Sequence, residues 1–336
     1  MPQRVLLSIA TTAIVSLILL VTLYQTEQVP WRSSTIYKPR FNSWLSASKN
    51  VNSTSAPQHS SEHIKGSPVV PLGQHPNTTL VLATLSATDN SWIDAELGDL
   101  LGPSTNLYTA IYVVNDGRAP LHTPANKGHE AMAYLTYLID FYDNLPAISI
   151  FMHGHPGAWH NNFLLNMSSS EIVRNLDRGK VLKDGYFNLR CHWTPGCQPG
   201  IDPSATEYDE DKREEMVIGE AWRTLFPLHE VPELLAQPCC SQFAVSREAV
   251  RAHPVERYVQ FRNWLLASRL SDYITGRVFE YFWHWIFKGV TTLCPDPRIC
   301  YCEGYGVCFE DPDDYGKFFQ LVAELDVYRN ELASWE

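Results

Sequence analysis

The chain has 336 residues, of which 45% are hydrophobic and 12% aromatic, so it is long enough to bury a sizeable core. Its formal net charge is −11, and no basic stripe interleaved with aromatic residues occurs in it. These features argue against a nucleic-acid partner, because such proteins carry clustered positive charge.

The first predicted element is a membrane anchor. Residues 5–24 are uncharged and mostly apolar, and about 20 such residues can cross a bilayer as a helix. No small-x-small cleavage site follows them, so we predict an uncleaved signal anchor with residues 1–4 in the cytosol. Residues 25–78 are rich in Ser, Thr, Asn, Gln and Pro, which predicts a flexible stem ahead of a lumenal α/β domain at 79–336.

Two further patterns indicate the secretory pathway. The chain has eight cysteines, none before residue 191, and an even number behind a secretory-type leader is typical of disulfides. Acceptor sequons for N-glycosylation begin at Asn52, Asn77 and Asn166. We therefore expect a single-pass membrane glycoprotein of the Golgi or endoplasmic reticulum, with its body lumenal or extracellular.

The start of the body alternates strand and helix patterns. Short apolar runs at 80–85, 108–114 and 147–152 predict strands, and apolar residues recur at helical spacing in 92–101 and 131–142. Continuous apolar strands separated by helices are typical of parallel sheets covered on both faces. The pattern therefore predicts an α/β, Rossmann-like fold with a largely parallel sheet.

The second half predicts an α-rich region stapled to the sheet by disulfides. It contains aromatic-rich helical patterns at 255–270 and 274–288 and a cysteine-rich segment at 294–308. An acidic run at 207–215 is interpreted as the solvated start of a helix. The adjacent Cys239 and Cys240 are either a reactive pair or, as the compartment favours, members of two disulfides to separate loops.

Polar residues follow two of the predicted core strands. Asn115 and Asp116 follow the second strand, and His153 and His155 follow the third. Because ligands of open α/β sheets bind beyond the carboxyl ends of the strands, we predict the ligand site here.

The H-x-H spacing also suggests a metal site. If the strand stays extended through His155, the imidazoles of His153 and His155 lie on one face and can bind Mn²⁺ or Zn²⁺. His160, Asp116 or Glu130 would then complete three ligands. The alternative is that the strand ends in a turn and that the histidines only form hydrogen bonds there.

A second candidate for chemistry is the predicted helix at 274–288. Glu280 and His284 are four residues apart, so they would share a helix face and exchange or orient a proton. Burial among aromatic residues would raise the pKa of Glu280 and suit it to proton transfer. The alternative is a core helix in which Glu280 lies at the solvent-exposed edge or pairs with Arg277.

Several long segments resemble a known family. The segments at 126–146, 151–155 (FMHGH), 188–191 (NLRC) and 239–247 (CCSQFAVSR) resemble the fungal domain of unknown function numbered 3431, which would cover most of 79–308. That resemblance implies no activity.

A more distant resemblance is to Golgi glycosyltransferases of the GT-A fold, through the anchor, the stem and the order of elements. It implies a nucleotide-sugar at the strand ends and a D-x-D motif holding Mn²⁺ on the diphosphate. Here H-G-H stands at that place, and Asp209-Glu-Asp211 lies in the acidic run. The resemblance therefore implies a transferase whose metal site is altered or absent.

The leading hypothesis is a membrane-anchored lumenal glycosyltransferase. Its predicted catalytic residues are Glu280, His284 and Asp116. Its predicted substrate-binding residues are Asn115, Asn126, His153, His155, Trp159 and Arg247, with Trp159 or Trp283 stacking on sugar faces. The alternatives are a His-ligated metal enzyme acting on a small molecule of fungal secondary metabolism and a non-catalytic carbohydrate-binding protein.

Overall fold

The computed structural model of the protein describes residues 77–333 and Trp335. The predicted anchor, nearly all of the predicted stem and the sequon at Asn52 lie outside these residues. Within them, no helix is both long and apolar enough to cross a membrane. Of the two other sequons, Asn166 is exposed, whereas Asn77 is half-buried and its Oδ1 has no hydrogen-bond partner.

The core of the fold is a five-stranded sheet with the order β2-β1-β3-β5-β4. Its strands are β1 (Thr78–Thr84), β2 (Leu107–Val113), β3 (Ile148–His153), β4 (Tyr186–Asn188) and β5 (Phe243–Ser246). β1 lies between β2 and β3 and pairs in parallel with both, whereas β5 runs antiparallel to both β3 and β4. The predicted α/β fold with a largely parallel sheet is confirmed.

The strands are continuously apolar because both faces of the sheet are covered. Side chains alternate between faces along a strand, so Leu80 and Leu82 of β1 enter one core and Val81 enters the other. In β3, Phe151 shares the core of Val81, whereas Met152 shares that of Leu80.

Eleven α-helices lie among the described residues. They are α1 (Ser91–Leu97), α2 (Glu130–Asp140), α3 (Ser169–Asn175), α4 (Arg178–Asp184), α5 (Glu215–Leu225), α6 (Arg247–Arg251), α7 (Val255–Ala267), α8 (Asp272–Glu280), α9 (Trp283–Lys288), α10 (Pro297–Tyr305) and α11 (Pro312–Ala333). Apolar residues of α2, α5, α7, α8 and α9 pack on the Val81 face, and those of α1, α3, α4 and α10 pack on the Leu80 face.

All eight cysteines form disulfides, as their even number predicted. Three bonds join separate positions of the second half, and they are Cys191–Cys300, Cys197–Cys294 and Cys302–Cys308. The fourth joins the neighbours Cys239 and Cys240 to each other. The expectation that these two cysteines pair with separate loops is therefore wrong.

The interpretation of the acidic run as a solvated helix start is wrong for its last two residues. Glu214 is fully buried and accepts two hydrogen bonds from the Arg277 guanidinium. Glu215 is also buried, where it accepts from the backbone N–H of Asp202 and pairs with Lys212. These carboxylates therefore fasten α5 to its neighbours rather than facing water.

The predicted helix at 274–288 is two helices, since α8 ends at Glu280 and α9 begins at Trp283. The break removes the helical spacing that would have placed Glu280 beside His284. The imidazole of His284 is fully buried, and its Nε2 lies 2.9 Å from the carbonyl of Thr291. The predicted pairing of Glu280 with His284 is wrong.

The buried His284 predicts acid sensitivity of the fold. Burial lowers its pKa to about 4, so between that pH and its ordinary value of 6.5 the unfolded chain binds the extra proton. Stability is then lost as the pH falls through this window. The variant His284→Gln keeps a donor for Thr291 but does not titrate. Its free energy of unfolding in urea should therefore fall between pH 7 and pH 5 by about 2 kcal/mol less than that of the unmodified protein. The same substitution at the exposed His122 should leave that loss unchanged, and an equal effect at both positions would contradict the prediction.

Candidate functional site

The carboxyl end of β3 collects residues from several elements. His153 is the last residue of β3 and pairs in register with Ala83 of β1. The chain then bends, and a Cβ on Gly154 would lie 2.5 Å from Thr84 Cγ2, so the glycine lets this bend pack against the end of β1. Because β5 is antiparallel to β3, the residues that precede β5, including Gln242, lie at this same end.

We use the term β3 crevice for the polar cluster formed here by Glu130, His153, His160, Cys240 and Glu280. The Nε2 atom of His153 lies 3.9 Å from Oε2 of Glu130. The ring centroids of His153 and His160 are 4.8 Å apart. The backbone N–H of Cys240 donates to Oε1 of Glu280 over 2.8 Å. The side chains of His153, Glu130 and Glu280 are 26%, 17% and 9% exposed, so the cluster is recessed but open to solvent.

Close helix packing brings the carboxylates of the crevice together. Glu130 is the first residue of α2, and Glu280 is the last residue of α8. A Cβ on Gly276 would lie 2.8 Å from Cδ2 of His129, so this glycine lets α8 approach the start of α2. The charge of Glu130 contributes to the raised pKa of Glu280, which agrees with this proximity.

The amide of Gln242 holds the histidine side of the crevice in place. Its Oε1 accepts from the backbone N–H of His153 over 3.3 Å, and its Nε2 donates to Oδ1 of Asn161 over 2.7 Å. The same Nε2 lies 3.4 Å from Nδ1 of His160. Gln242 thus ties the end of β3 to the loop that carries His160.

Both imidazoles of the crevice are neutral near pH 7. Burial, with smaller contributions from His153 and Arg190, lowers the pKa of His160 to about 4. Burial also lowers the pKa of His153, and the Glu130 carboxylate opposes that shift in part. A neutral imidazole can donate from one nitrogen and accept at the other, so these residues can orient a substrate hydroxyl.

The carboxyl group of Glu280 is adapted to proton transfer. Burial raises its pKa to about 7, against the opposing effects of the Arg277 guanidinium and of the Cys240 N–H. Arg277 Nη1 lies 3.5 Å from Glu280, and Arg277 also pairs with Glu214. A group whose pKa is close to the working pH both accepts and releases a proton readily. The predicted shift of Glu280 is thus present, although its predicted partner His284 is not.

Three polar atoms at or next to the crevice have no hydrogen-bond partner among the described residues. They are Nε2 of His153, Oγ of Ser241 and the hydroxyl of Tyr134. Ser241 and Tyr134 are buried, and the Glu130 charge acts on the pKa of Tyr134. Since buried polar groups in proteins are nearly always paired, these atoms mark this end of the sheet as incompletely hydrogen-bonded, although solvent does not reach them.

The predicted metal site on His153 and His155 is not completed by a third ligand within the described residues. The strand ends at His153, and the exposed His155 follows in a bend. Within the described part of the chain, the group of three ligand atoms that lie within 4.8 Å of one another belongs to Cys239, Cys240 and Glu280. Its two sulfurs are bonded to each other, so they are not thiolate ligands.

The residues that follow β2 form contacts of their own. Asp116 pairs with the exposed Arg118, and Oδ1 of Asn115 accepts from the backbone N–H of Ser86. β2 is the edge strand and β1 separates it from β3, so the Asp116 turn is two strands away from His153. Asn126 is exposed in the loop before α2. The structure therefore does not bring Asp116 into contact with Glu280 or with the histidines.

The predicted substrate-binding role of Arg247 and the predicted sugar stacking of Trp283 do not agree with where these residues lie. Arg247 follows the antiparallel strand β5, and its backbone N–H binds the carbonyl of Ala147. It therefore lies at the amino end of β3, opposite the crevice. Trp283 is fully buried in the core, which excludes it from stacking on a sugar.

The exposed aromatic residue beside the crevice is Trp159. Its side chain is 69% exposed, its ring centroid is 5.4 Å from that of His160, and the Arg190 guanidinium lies 5.6 Å from its ring. Sequence reasoning selected Trp159 but missed Arg190 and Gln242. Arg190 lies in the NLRC segment and Gln242 in the CCSQF segment. Both segments carry the resemblance to the uncharacterised family, but the resemblance assigned them no role.

A family model described as "Protein of unknown function (DUF3431)" matches residues 80–303. The chain belongs to the DUF3431 family. The match extends from β1 through most of α10, so every residue of the β3 crevice lies inside the DUF3431 domain. No curated protein and no solved structure shows significant similarity to the chain. The resemblance to GT-A glycosyltransferases therefore stays a prediction.

Proposed function

We propose that this DUF3431 protein is a membrane-anchored, lumenal transferase that moves a sugar from a nucleotide-sugar to a hydroxyl group of an acceptor. Glu280 is the general base in this proposal. The observation that carries it is the buried carboxyl group of Glu280, whose pKa is raised to about 7 at the carboxyl end of the central sheet.

The reaction requires a base of this strength. The acceptor oxygen forms a bond to the anomeric carbon of the donor, the bond from that carbon to the diphosphate breaks, and the acceptor proton moves to Glu280. A carboxylate of ordinary pKa would be a weak base for this proton, whereas a raised pKa increases the driving force for transfer. At neutral pH a large fraction of Glu280 is still ionised and able to accept.

The surroundings of Glu280 suit a polyhydroxylated substrate. The neutral imidazoles of His153 and His160 offer hydrogen bonds to sugar hydroxyl groups. The exposed ring of Trp159 offers an apolar surface for a sugar face. The predicted anchor and the four disulfides support a lumenal setting.

Replacing Glu280 with Gln should abolish most of the transfer activity. The amide keeps the shape and the acceptor oxygen for the Cys240 N–H but cannot take a proton, so we expect a loss of at least about 100-fold in kcat. The measurement is the release of nucleoside diphosphate by the full-length chain, with a panel of nucleotide-sugars and glycan acceptors. The control is Glu256→Gln, an exposed position at the start of α7 that should keep the full rate.

Other outcomes would contradict this function. Turnover that is lost on chelation and restored by Zn²⁺ would instead favour a His-ligated metal enzyme. Glycan binding that survives Glu280→Gln, without turnover of any nucleotide-sugar by the unmodified protein, would favour a carbohydrate-binding protein. Full activity of Glu280→Gln would remove Glu280 from the mechanism.

A further inference from the structure

Arg190 is a buried cation without an acidic partner. The residue is 6% exposed and follows β4 at the carboxyl end of the sheet. Its Nη1 donates to the carbonyl of His160, its Nη2 donates to the carbonyl of Thr194 over 2.7 Å, and its Nε has no partner. Among the described residues, no carboxylate lies within 4.0 Å of its guanidinium.

The comparison with Arg277 shows why this is unusual. Arg277 also lies beside the crevice, but it pairs with both Glu214 and Glu280. Burying a charge is costly unless the charge is paired, and the direct contacts of Arg190, two neutral carbonyls and the ring of Trp159, include no ion-pair partner. Burial accordingly lowers the pKa of Arg190. An anion bound at Arg190 would supply the missing counter-charge.

Arg190 lines an open cavity of about 340 Å³ that is large enough for more than a single inorganic anion. The other lining residues are His192, Trp193, Thr194, Gln198, Pro297 and Tyr315. The imidazole of His192 is neutral near pH 7, because burial and the Arg190 charge lower its pKa to about 4, and its Nε2 lies 2.7 Å from the Tyr301 hydroxyl. Arg190 is therefore the charged group of this lining.

The cavity adjoins the β3 crevice. Arg190 binds the carbonyl of His160, which is a crevice residue. The Glu280 carboxylate raises the pKa of Arg190 in opposition to burial, so the two charges interact across the boundary. Arg190 therefore links the cavity to the crevice that holds Glu280.

We propose that Arg190 binds the diphosphate of a nucleotide-sugar donor without a metal ion, and that the aromatic residues of the cavity receive the base. This inference rests on the proposed transferase function and deepens it. Guanidinium groups match phosphate oxygens in geometry, and aromatic rings stack on any base. When the bond to the anomeric carbon breaks, its electron pair passes to the diphosphate, and the fixed charge of Arg190 stabilises the negative charge that develops. The arrangement would replace the D-x-D motif that the chain lacks at H-G-H.

The test is binding of uridine diphosphate and of guanosine diphosphate to the full-length chain in detergent, measured by calorimetry in the presence of EDTA. We expect the unmodified protein to bind at least one of them, Arg190→Met to weaken that binding by at least about 100-fold, and Arg190→Lys by about tenfold, since Lys keeps the charge but loses the fork. The control is Arg178→Met, because Arg178 is half-buried and binds the carbonyl of Thr105 at the opposite end of the sheet. This control should bind as the unmodified protein does.

The outcomes separate this inference from the function on which it rests. Binding that EDTA abolishes and Mn²⁺ restores, with sugar transfer intact, would overturn the role of Arg190 and leave the transferase in place. Equal binding by Arg190→Met would also overturn it. Failure of the unmodified protein to bind or turn over any nucleotide-sugar, with or without Mn²⁺, would overturn both. If the melting temperature shows that Arg190→Met is unfolded, two other measurements test the role of Arg190. They are the affinity of Arg190→Lys and the effect of EDTA on binding by the unmodified protein.

Discussion

Replacing Cys191 and Cys300 together with Ala should lower the free energy of unfolding by about 3 kcal/mol. The Cys197–Cys294 bond lies inside this pair, so the Cys191–Cys300 bond closes only the flanks 191–197 and 294–300, a loop of about 14 residues whose closure restricts the unfolded chain. The bond also joins the segment after β4 to α10, so its loss would loosen α10 over the Leu80 face of the sheet. Chemical denaturation of the purified variant measures the effect.

The Cys302–Cys308 bond provides a matched control for this prediction. It closes a separation of only six residues, so the same double replacement there should cost less, about 2 kcal/mol of free energy of unfolding. If the Cys302–Cys308 variant lost more stability than the Cys191–Cys300 variant, restriction of the unfolded chain would not be the origin of the effect.

Replacing Trp283 with Ala should lower the free energy of unfolding by about 3 to 5 kcal/mol. Trp283 is fully buried, and its ring centroid lies 5.2 Å from that of Phe243 in β5, 5.3 Å from Phe279 and 6.1 Å from Phe287. The substitution leaves a large cavity between the sheet and α9. Trp283→Phe should cost less, since it retains a ring and removes an indole N–H that has no partner. Denaturant unfolding at constant pH is the measurement.

Sequence reasoning proposed that either Trp159 or Trp283 stacks on sugar faces. The corresponding change at Trp159 distinguishes a surface residue suited to binding from a core residue. Trp159 is largely exposed, so Trp159→Ala should leave the free energy of unfolding within about 0.5 kcal/mol of the starting value. Its effect should instead be on substrate affinity. A strongly destabilised Trp159→Ala together with a stable Trp283→Ala would reverse this assignment.

Local patterns were sufficient to predict much of the fold. The apolar runs at 80–85, 108–114 and 147–152 correspond to β1, β2 and β3, which begin and end within a few residues of the prediction. These strands are apolar throughout because both of their faces are covered, and this property is visible in a short window of sequence. The place of the candidate site was predicted from the same pattern, and His153 does end the central strand β3.

The errors concern features that depend on contacts between distant segments. The direction of β5 cannot be inferred from Phe243–Ser246, yet that direction places Gln242 at the crevice and Arg247 at the opposite end. The interruption between α8 and α9 likewise falls within an unbroken helical pattern. The proposed role of Arg190 rests on the lack of a carboxylate within 4.0 Å of its guanidinium among the described residues, and no local sequence pattern shows this.

The bond between Cys239 and Cys240 has a consequence for how the chain reaches its native pairing. Neighbouring sulfurs need no long-range encounter to meet, so this pair can be oxidised before any tertiary contact exists. Once it has formed, six cysteines rather than eight remain to be sorted, and the number of complete pairings falls about sevenfold. An oxidative folding pathway that begins at this bond would therefore have far fewer wrong partners to undo.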